Sequence, residues 1–167
     1  MKETELKLRI YGDKILRRKA TAVRSVGDTE KKLLEEMAKI MYANGGIGLA
    51  APQVGVNKQI IICDVGKGLC KLINPKIKKR QSVCFIQEGC LSVPGVSVNI
   101  KRPKKVFIEA VNESGSRLAF WADDLLARVI QHEIDHLKGK LIVDYANLLQ
   151  RIKLRKMFTQ RTKANKK

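Results

Sequence analysis

Both histidines of this 167-residue chain fall within five residues, His132-Glu133-Ile134-Asp135-His136. That is the H-E-x-x-H pattern, and it restricts the fold sharply. On a helix, residues four apart share a face, so two imidazoles can grip one metal ion while the glutamate between them handles protons. That pair rarely completes a site, so another part of the chain must bring a third ligand to this face. Two scattered histidines fall four apart with Glu after the first roughly once in a thousand chains of average composition. The pattern predicts a metal-assisted hydrolase site.

The flanking sequence supports a helix there. A helix is predicted over 124–138, with Asp123 as cap, Leu125, Leu126, Val129 and Ile130 as its buried face, and Gly139 at its end. An earlier helix is predicted over 29–43. Leu33, Leu34, Met37, Ile40 and Met41 make its apolar stripe, Asp28 can cap it, and Asn44-Gly45-Gly46 stops it. The segment from Gly46 to Gly55 is rich in small residues, so backbone can approach a ligand closely. It is not G-x-G-x-x-G and no Lys-Ser/Thr follows, which argues against a phosphate loop.

Short β-like runs lie at 59–65, 71–77, 81–86, 97–100, 105–111 and 117–121, with a turn at Asn112-Glu113-Ser114-Gly115. They read as an antiparallel meander. A short strand, Leu141-Ile142-Val143, and a basic helix over 145–158 are expected to follow. The predicted class is α+β: mostly antiparallel sheets around a central helix carrying H-E-x-x-H, with an N-terminal helix and a basic C-terminal helix. One catalytic domain is expected over 1–150, with 151–167 a basic extension of the last helix.

The net charge is +18. Residues 151–167 hold eight basic side chains and no acidic one, and the rest of the chain keeps +10 of the total. Such a surface attracts polyanions, RNA above all; a merely solubilising surface is the alternative. No apolar run reaches the length of a membrane span, and Met1-Lys2-Glu3-Thr4-Glu5 lacks the apolar stretch of a secretory signal, which points to the cytoplasm. Cys63, Cys70, Cys84 and Cys90 form no C-x-x-C pair, so any cysteine ligand acts singly. On spacing alone, Asp144 downstream and Cys90 upstream are both open as third ligand. A thiolate with two imidazoles would suit iron(II) as well as zinc. Glu133 argues against a purely structural metal in an RNA-binding module, because a structural site needs no base and prefers a fourth ligand.

Three segments stand in register: Gly46-Ile47-Gly48-Leu49-Ala50-Ala51-Pro52-Gln53, Glu88-Gly89-Cys90-Leu91-Ser92 and Gln131-His132-Glu133-Ile134-Asp135-His136. In this order and spacing the chain resembles the peptide deformylases, over roughly residues 6–147. The resemblance implies an enzyme that removes the formyl group from the N-terminal formylmethionine of nascent polypeptides. It implies Cys90, His132 and His136 as metal ligands, for Fe(2+) in cells with Zn(2+), Ni(2+) or Co(2+) able to substitute. It implies Glu133 as the group that takes a proton from water and passes it to the leaving amine. It implies the Gln53 amide and Leu91 N–H as oxyanion donors. Gly48 and Gly89 would help hold substrate, and Ile47, Ile86, Leu125, Val129 and the His132 ring would form the methionine pocket. Glu88 is expected to support the site through an ion pair or hydrogen bonds.

Many relatives place an arginine two residues past the glycine, where this chain has Val96-Ser97, so no arginine contact to the peptide backbone is expected from that segment. Arg128 is expected to face outward. The resemblance also implies a ribosome-docking helix over 147–158, with Leu148, Ile152 and Arg155 along one side and Leu149 and Met157 adding apolar area.

Overall fold

The computed structural model describes residues 6–152, 154 and 158. Its elements are helix α1 (Asp28–Ala43), strands β1 (Gly48–Ala50), β2 (Ile60–Cys63), β3 (Cys70–Gln81), β4 (Cys84–Gly89), β5 (Ser97–Arg102), β6 (Lys105–Val111) and β7 (Arg117–Asp123), and helix α2 (Asp124–Leu137). Tight 3-10 turns at Lys14–Arg17, Ala51–Val54 and Ile142–Tyr145 lie between or beside them. The α+β class expected from the sequence holds.

Strand β2 shows why the layers form. All of Ile60, Ile61, Ile62 and Cys63 are buried. Successive side chains on a strand point to opposite faces. Ile60 and Ile62 join the α1 residues Leu34, Met37 and Met41 in one core, while Ile61 and Cys63 join Ile130 and Ile134 of α2 in another. An unbroken apolar run is what a strand covered on both faces requires. Each fully buried Ile there contributes about 1.5–3 kcal/mol relative to exposure.

The main sheet is antiparallel, in the order β1-β2-β3-β6-β7. The strands are antiparallel as expected, but they do not run as a meander. β3 pairs with β6, and β4 and β5 leave the sheet to pair with each other. The inward residues of β5, Val98 and Ile100, pack in a third core with Leu141, Ile142, Val143 and Leu16 instead. That core holds the hairpin beside α2 and so brings the segment after β4 to the histidines.

Three local expectations change. Helix α1 is capped at Gly27 rather than Asp28, and the Glu30 side chain closes back on the Gly27 N–H at 3.0 Å. The small-residue segment is not loop throughout: Gly48–Ala50 pairs with β2 and Ala51–Val54 forms a 3-10 turn, consistent with Pro52 at the turn's start. Leu141-Ile142-Val143 is not a strand. The Asp144 carboxylate accepts the Leu141 N–H at 2.9 Å and the Asp144 N–H returns to the Leu141 carbonyl, closing a turn whose apolar side chains are still buried. A three-residue apolar run carries no periodicity to separate these outcomes.

Helix α2 keeps its predicted bounds to within a residue, but of its expected buried face only Val129 and Ile130 are buried; Leu126 is half-buried and Leu125 is exposed at the cleft. It ends with the Lys140 N–H on the Asp135 carbonyl and Gly139 at φ +72°, a left-handed stop. A Cβ on Gly139 would lie 2.5 Å from the Arg17 carbonyl oxygen, so glycine also permits the N-terminal segment to cross there. Of the basic helix, residues 148–152, 154 and 158 are helical; Arg155, Met157 and 159–167 lie outside the described residues.

Candidate active site

Helix α2 is two-faced. Ala127, Ile130, Ile134 and Leu137 fill the core beneath the sheet. Leu125, Arg128, Val129, His132 and Glu133 line a cleft of about 490 Å³. The opposite wall comes from Gly46, Ile47 and Gly48 before and within β1, and from the segment Gln87 to Leu91. Close approach of the walls depends on Gly48. A Cβ there would lie 2.4 Å from Glu133 Oε1 and 2.6 Å from Val129 Cγ1.

Cys90 is carried to the histidines by the end of β4. Its Sγ lies 3.2 Å from His136 Nε2, which in turn lies 3.2 Å from His132 Nε2. All three donor atoms fall within 4.8 Å of one another. Ligand atoms about 2.1 Å from a tetrahedral ion sit roughly 3.4 Å apart, so the cluster fits a single ion with one position left for water or substrate. Cys63, on β2, is buried in the core shared with α2 and, like Cys70 and Cys84, stands outside this cluster. Asp144, the other candidate from spacing, pairs with Arg17 at 2.5 Å and is also outside it.

The electrostatics favour a cation at the cluster. Burial works against charge on His132, but hydrogen bonds to Cys90 and Glu88 outweigh it and push its pKa up to about 10. A metal ion can take the place of that proton. Burial and the nearby His132 charge push His136 well below its ordinary value, so its ring stays neutral and keeps a lone pair to donate. Glu88 accepts from His132 Nδ1 at 3.0 Å, which turns Nε2 toward the cluster. Burial alone would raise Glu88, but Arg102, with two contacts of 2.8 Å, and His132 hold it down to about 2. Arg102 also binds Asp135 at 2.6 Å, and Tyr145 donates to the same carboxylate oxygen at 2.7 Å. The supporting role expected of Glu88 matches this geometry.

Glu133 is buried beside the cluster, and that burial pushes its pKa up to about 7. Its Oε2 and His136 Nδ1 are buried polar atoms without a hydrogen-bond partner among the described residues. Gln53 is fixed from the other side. Its Oε1 accepts the Ala50 N–H at 2.8 Å, so its amide N–H groups point to Ser92 Oγ at 3.1 Å and Cys90 Sγ at 3.7 Å.

Of the residues anticipated from sequence, Gln53, Leu91, Cys90, His132, Glu133, Gly48, Ile47, Gly89, Leu125 and Val129 converge on the cleft. His136 completes the cluster from behind. Ile86 does not line it; it sits opposite Ile100 on β5, and Gln87 lines the cleft instead. Arg128 does not simply face outward. It lines the cleft, partly buried. Sequence reasoning missed Arg102 and Ser92. Arg102 left a signal: on β5 it continues the inward alternation Val98, Ile100, where an unpaired arginine would be costly.

A helix presenting H-E-x-x-H to a cysteine, inside an α+β domain with a buried glutamate at the cleft, defines a hydrolytic enzyme of the metallohydrolase class. The polypeptide deformylase family model matches residues 5–152. Peptide deformylases from Acetivibrio thermocellus and Carboxydothermus hydrogenoformans are 47% identical over 137 residues (82% of this chain, 81% of theirs) and 48% identical over 140 residues (84% and 92%). The crystal structure of a peptide deformylase from Legionella pneumophila superposes with a TM-score of 0.90 at 33% identity, covering 97% of this chain and 98% of that one. One from Synechococcus elongatus, in complex with actinonin, gives 0.85 at 41% identity, covering 96% and 87%. The chain belongs to the polypeptide deformylase family and is an enzyme of it.

Proposed function

We propose that this enzyme hydrolyses the N-terminal formamide of formylmethionyl nascent polypeptides: water adds, the C–N bond breaks, and formate and the protonated amine leave. The observation that carries this reading is the convergence of the Cys90, His132 and His136 donor atoms beside a buried Glu133. Those three residues would hold one divalent ion, Fe(2+) in the cell, with Zn(2+), Ni(2+) or Co(2+) accepted by the same donors. When bound, the ion supplies Lewis acidity and makes water a stronger nucleophile near neutral pH.

The chain's own groups do the rest. Glu133 takes a proton from the attacking water and returns it to the amine nitrogen as the C–N bond breaks; a pKa of about 7 suits both directions. The Gln53 amide and Leu91 N–H stabilise the oxyanion. Gly48 and Gly89 hold the peptide backbone. Ile47 and Leu125, 46% and 40% exposed although apolar, receive the methionine side chain together with Val129 and the His132 ring; Ile86 is left out of this pocket.

The place of action in this reading is the cytoplasm; no helix among the described residues is long and apolar enough to cross a membrane. Segment 151–167, which is basic, includes the exposed Ile152 and follows the exposed Leu148 and Leu149, is the part of the chain proposed to meet ribosomal RNA. The deciding assay is formate release from formyl-Met-Ala-Ser by protein purified without air and loaded with iron. Stoichiometric metal without formate would overturn the reading.

A further inference from the structure

Arg128 is the one lysine or arginine lining the cleft among the described residues. Its Nε is buried and has no hydrogen-bond partner among them. Other arginines reaching into the fold are satisfied: Arg102 by Glu88 and Asp135, Arg17 by Asp144, Arg151 by the Ala146 and Asp144 carbonyls. Buried polar groups are nearly always paired, and a guanidinium N–H removed from water without a partner is unfavourable, so a ligand atom is the natural acceptor. Of the two carboxylates lining the cleft, Glu88 is taken by Arg102 and His132, and the Glu133 Oε2 stays unpartnered among the described residues without reaching the Arg128 Nε.

Position narrows the ligand. Arg128 stands one helical turn, about 6 Å along the axis, before His132. An extended peptide advances about 3.3–3.6 Å per residue. With the formyl group at the Cys90, His132, His136 cluster, the carbonyl of the residue after methionine would lie about 7 Å away, a separation like that between His132 and Arg128 along the helix. A single Nε–H donor suits a carbonyl oxygen, and every residue of a peptide carries a backbone carbonyl, so the contact would be indifferent to sequence.

Resting on the function proposed above, we propose that Arg128 is a substrate-binding residue whose Nε–H donates to the backbone carbonyl of the residue following methionine, so that substrate length beyond methionine is read by this side chain. The contact is made equally in ground and transition states, so its loss raises KM and leaves kcat nearly unchanged.

The test compares formyl-Met amide, which lacks that carbonyl, with formyl-Met-Ala amide, which has it. R128M should weaken formyl-Met-Ala amide about ten-fold or more in kcat/KM through KM, and formyl-Met amide less than about two-fold. R128K, which keeps the charge but not the guanidinium, should fall between. Equal loss on both amides, or none on either, would overturn the inference. Equilibrium dissociation constants on the metal-loaded E133Q background give the same comparison without turnover. If the wild type releases no formate, the functional reading fails; if the length-dependent change in binding is missing, the assignment of Arg128 fails.

Discussion

Glu133 keeps Oε2 buried and unpartnered among the described residues, one residue from a histidine that is hydrogen bonded at both ring nitrogens. A side chain held this way serves as a base more readily than as a structural prop, because a prop would be paired. E133Q removes the proton acceptor while keeping the shape. Formate release should drop by about 10²–10⁴-fold, with metal stoichiometry unchanged because Cys90, His132 and His136 are intact. Loss of metal together with activity would show Glu133 to be a ligand or a packing element instead. Glu30 shows the same residue type in the other role. It is buried, closes on the Gly27 N–H, and pairs with Lys58 at 2.7 Å. The hydrogen bond from Lys58 holds its carboxyl below the ordinary value despite burial. A depressed carboxylate stabilises the fold above its unfolded pKa and ceases to do so as pH falls through its folded one. E30Q should therefore lower stability by about 1 kcal/mol near pH 7, and the gap to wild type should close in acid, measured by urea unfolding across pH 3–7.

Hairpin β4–β5 and helix α2 are coupled by one polar chain: His132, Glu88, Arg102, Asp135 and Tyr145. Three of its four links join groups on the two elements, and the fourth ties in Tyr145 of the turn at Ile142–Tyr145, so the hairpin cannot shift without changing the direction of His132. R102M leaves Glu88 and Asp135 buried without their cation, which costs about 3–5 kcal/mol when one partner of a buried pair is removed. Urea unfolding of the metal-loaded protein measures it, and an unchanged midpoint would mean that the network carries no net stability. At this scale the sequence was legible where periodicity was long. The sixteen residues of α1 and fourteen of α2 were readable from their stripes. The two-faced burial of Ile60–Cys63 and the turn at 142–145 were not, because four apolar residues fit more than one conformation. The pairing of β3 with β6 was also illegible, since pairing across a skipped hairpin is set by which cores the faces fill.

At the scale of the whole molecule, an early segment of the chain packs against a late one. Leu154 and Phe158 pack into the core around Leu16, and the Phe158 ring meets Tyr11 at 4.7 Å. Deleting 151–167 would therefore disturb folding as well as charge. Truncation after residue 158 keeps that contact and removes four of the eight basic residues. If the tail docks on ribosomal RNA, the truncated protein should co-sediment less with ribosomes at low salt, and its salt slope should shrink by up to about 3. Unchanged co-sedimentation would remove the tail from the docking surface.

By itself the sequence determined the chemistry on offer: a helix with two imidazoles and a base, a lone cysteine after a glycine, an amide in a small-residue segment. It did so because ligand type and helical spacing are local properties. Which of these would meet was decided by the tertiary structure. It chose Cys90 over Asp144, moved Ile86 out of the pocket and turned Arg128 into it. The physical reason is that each choice depends on how β4 and β5 leave the sheet to pack beside α2, and that packing is settled by burial summed over residues far apart in the chain.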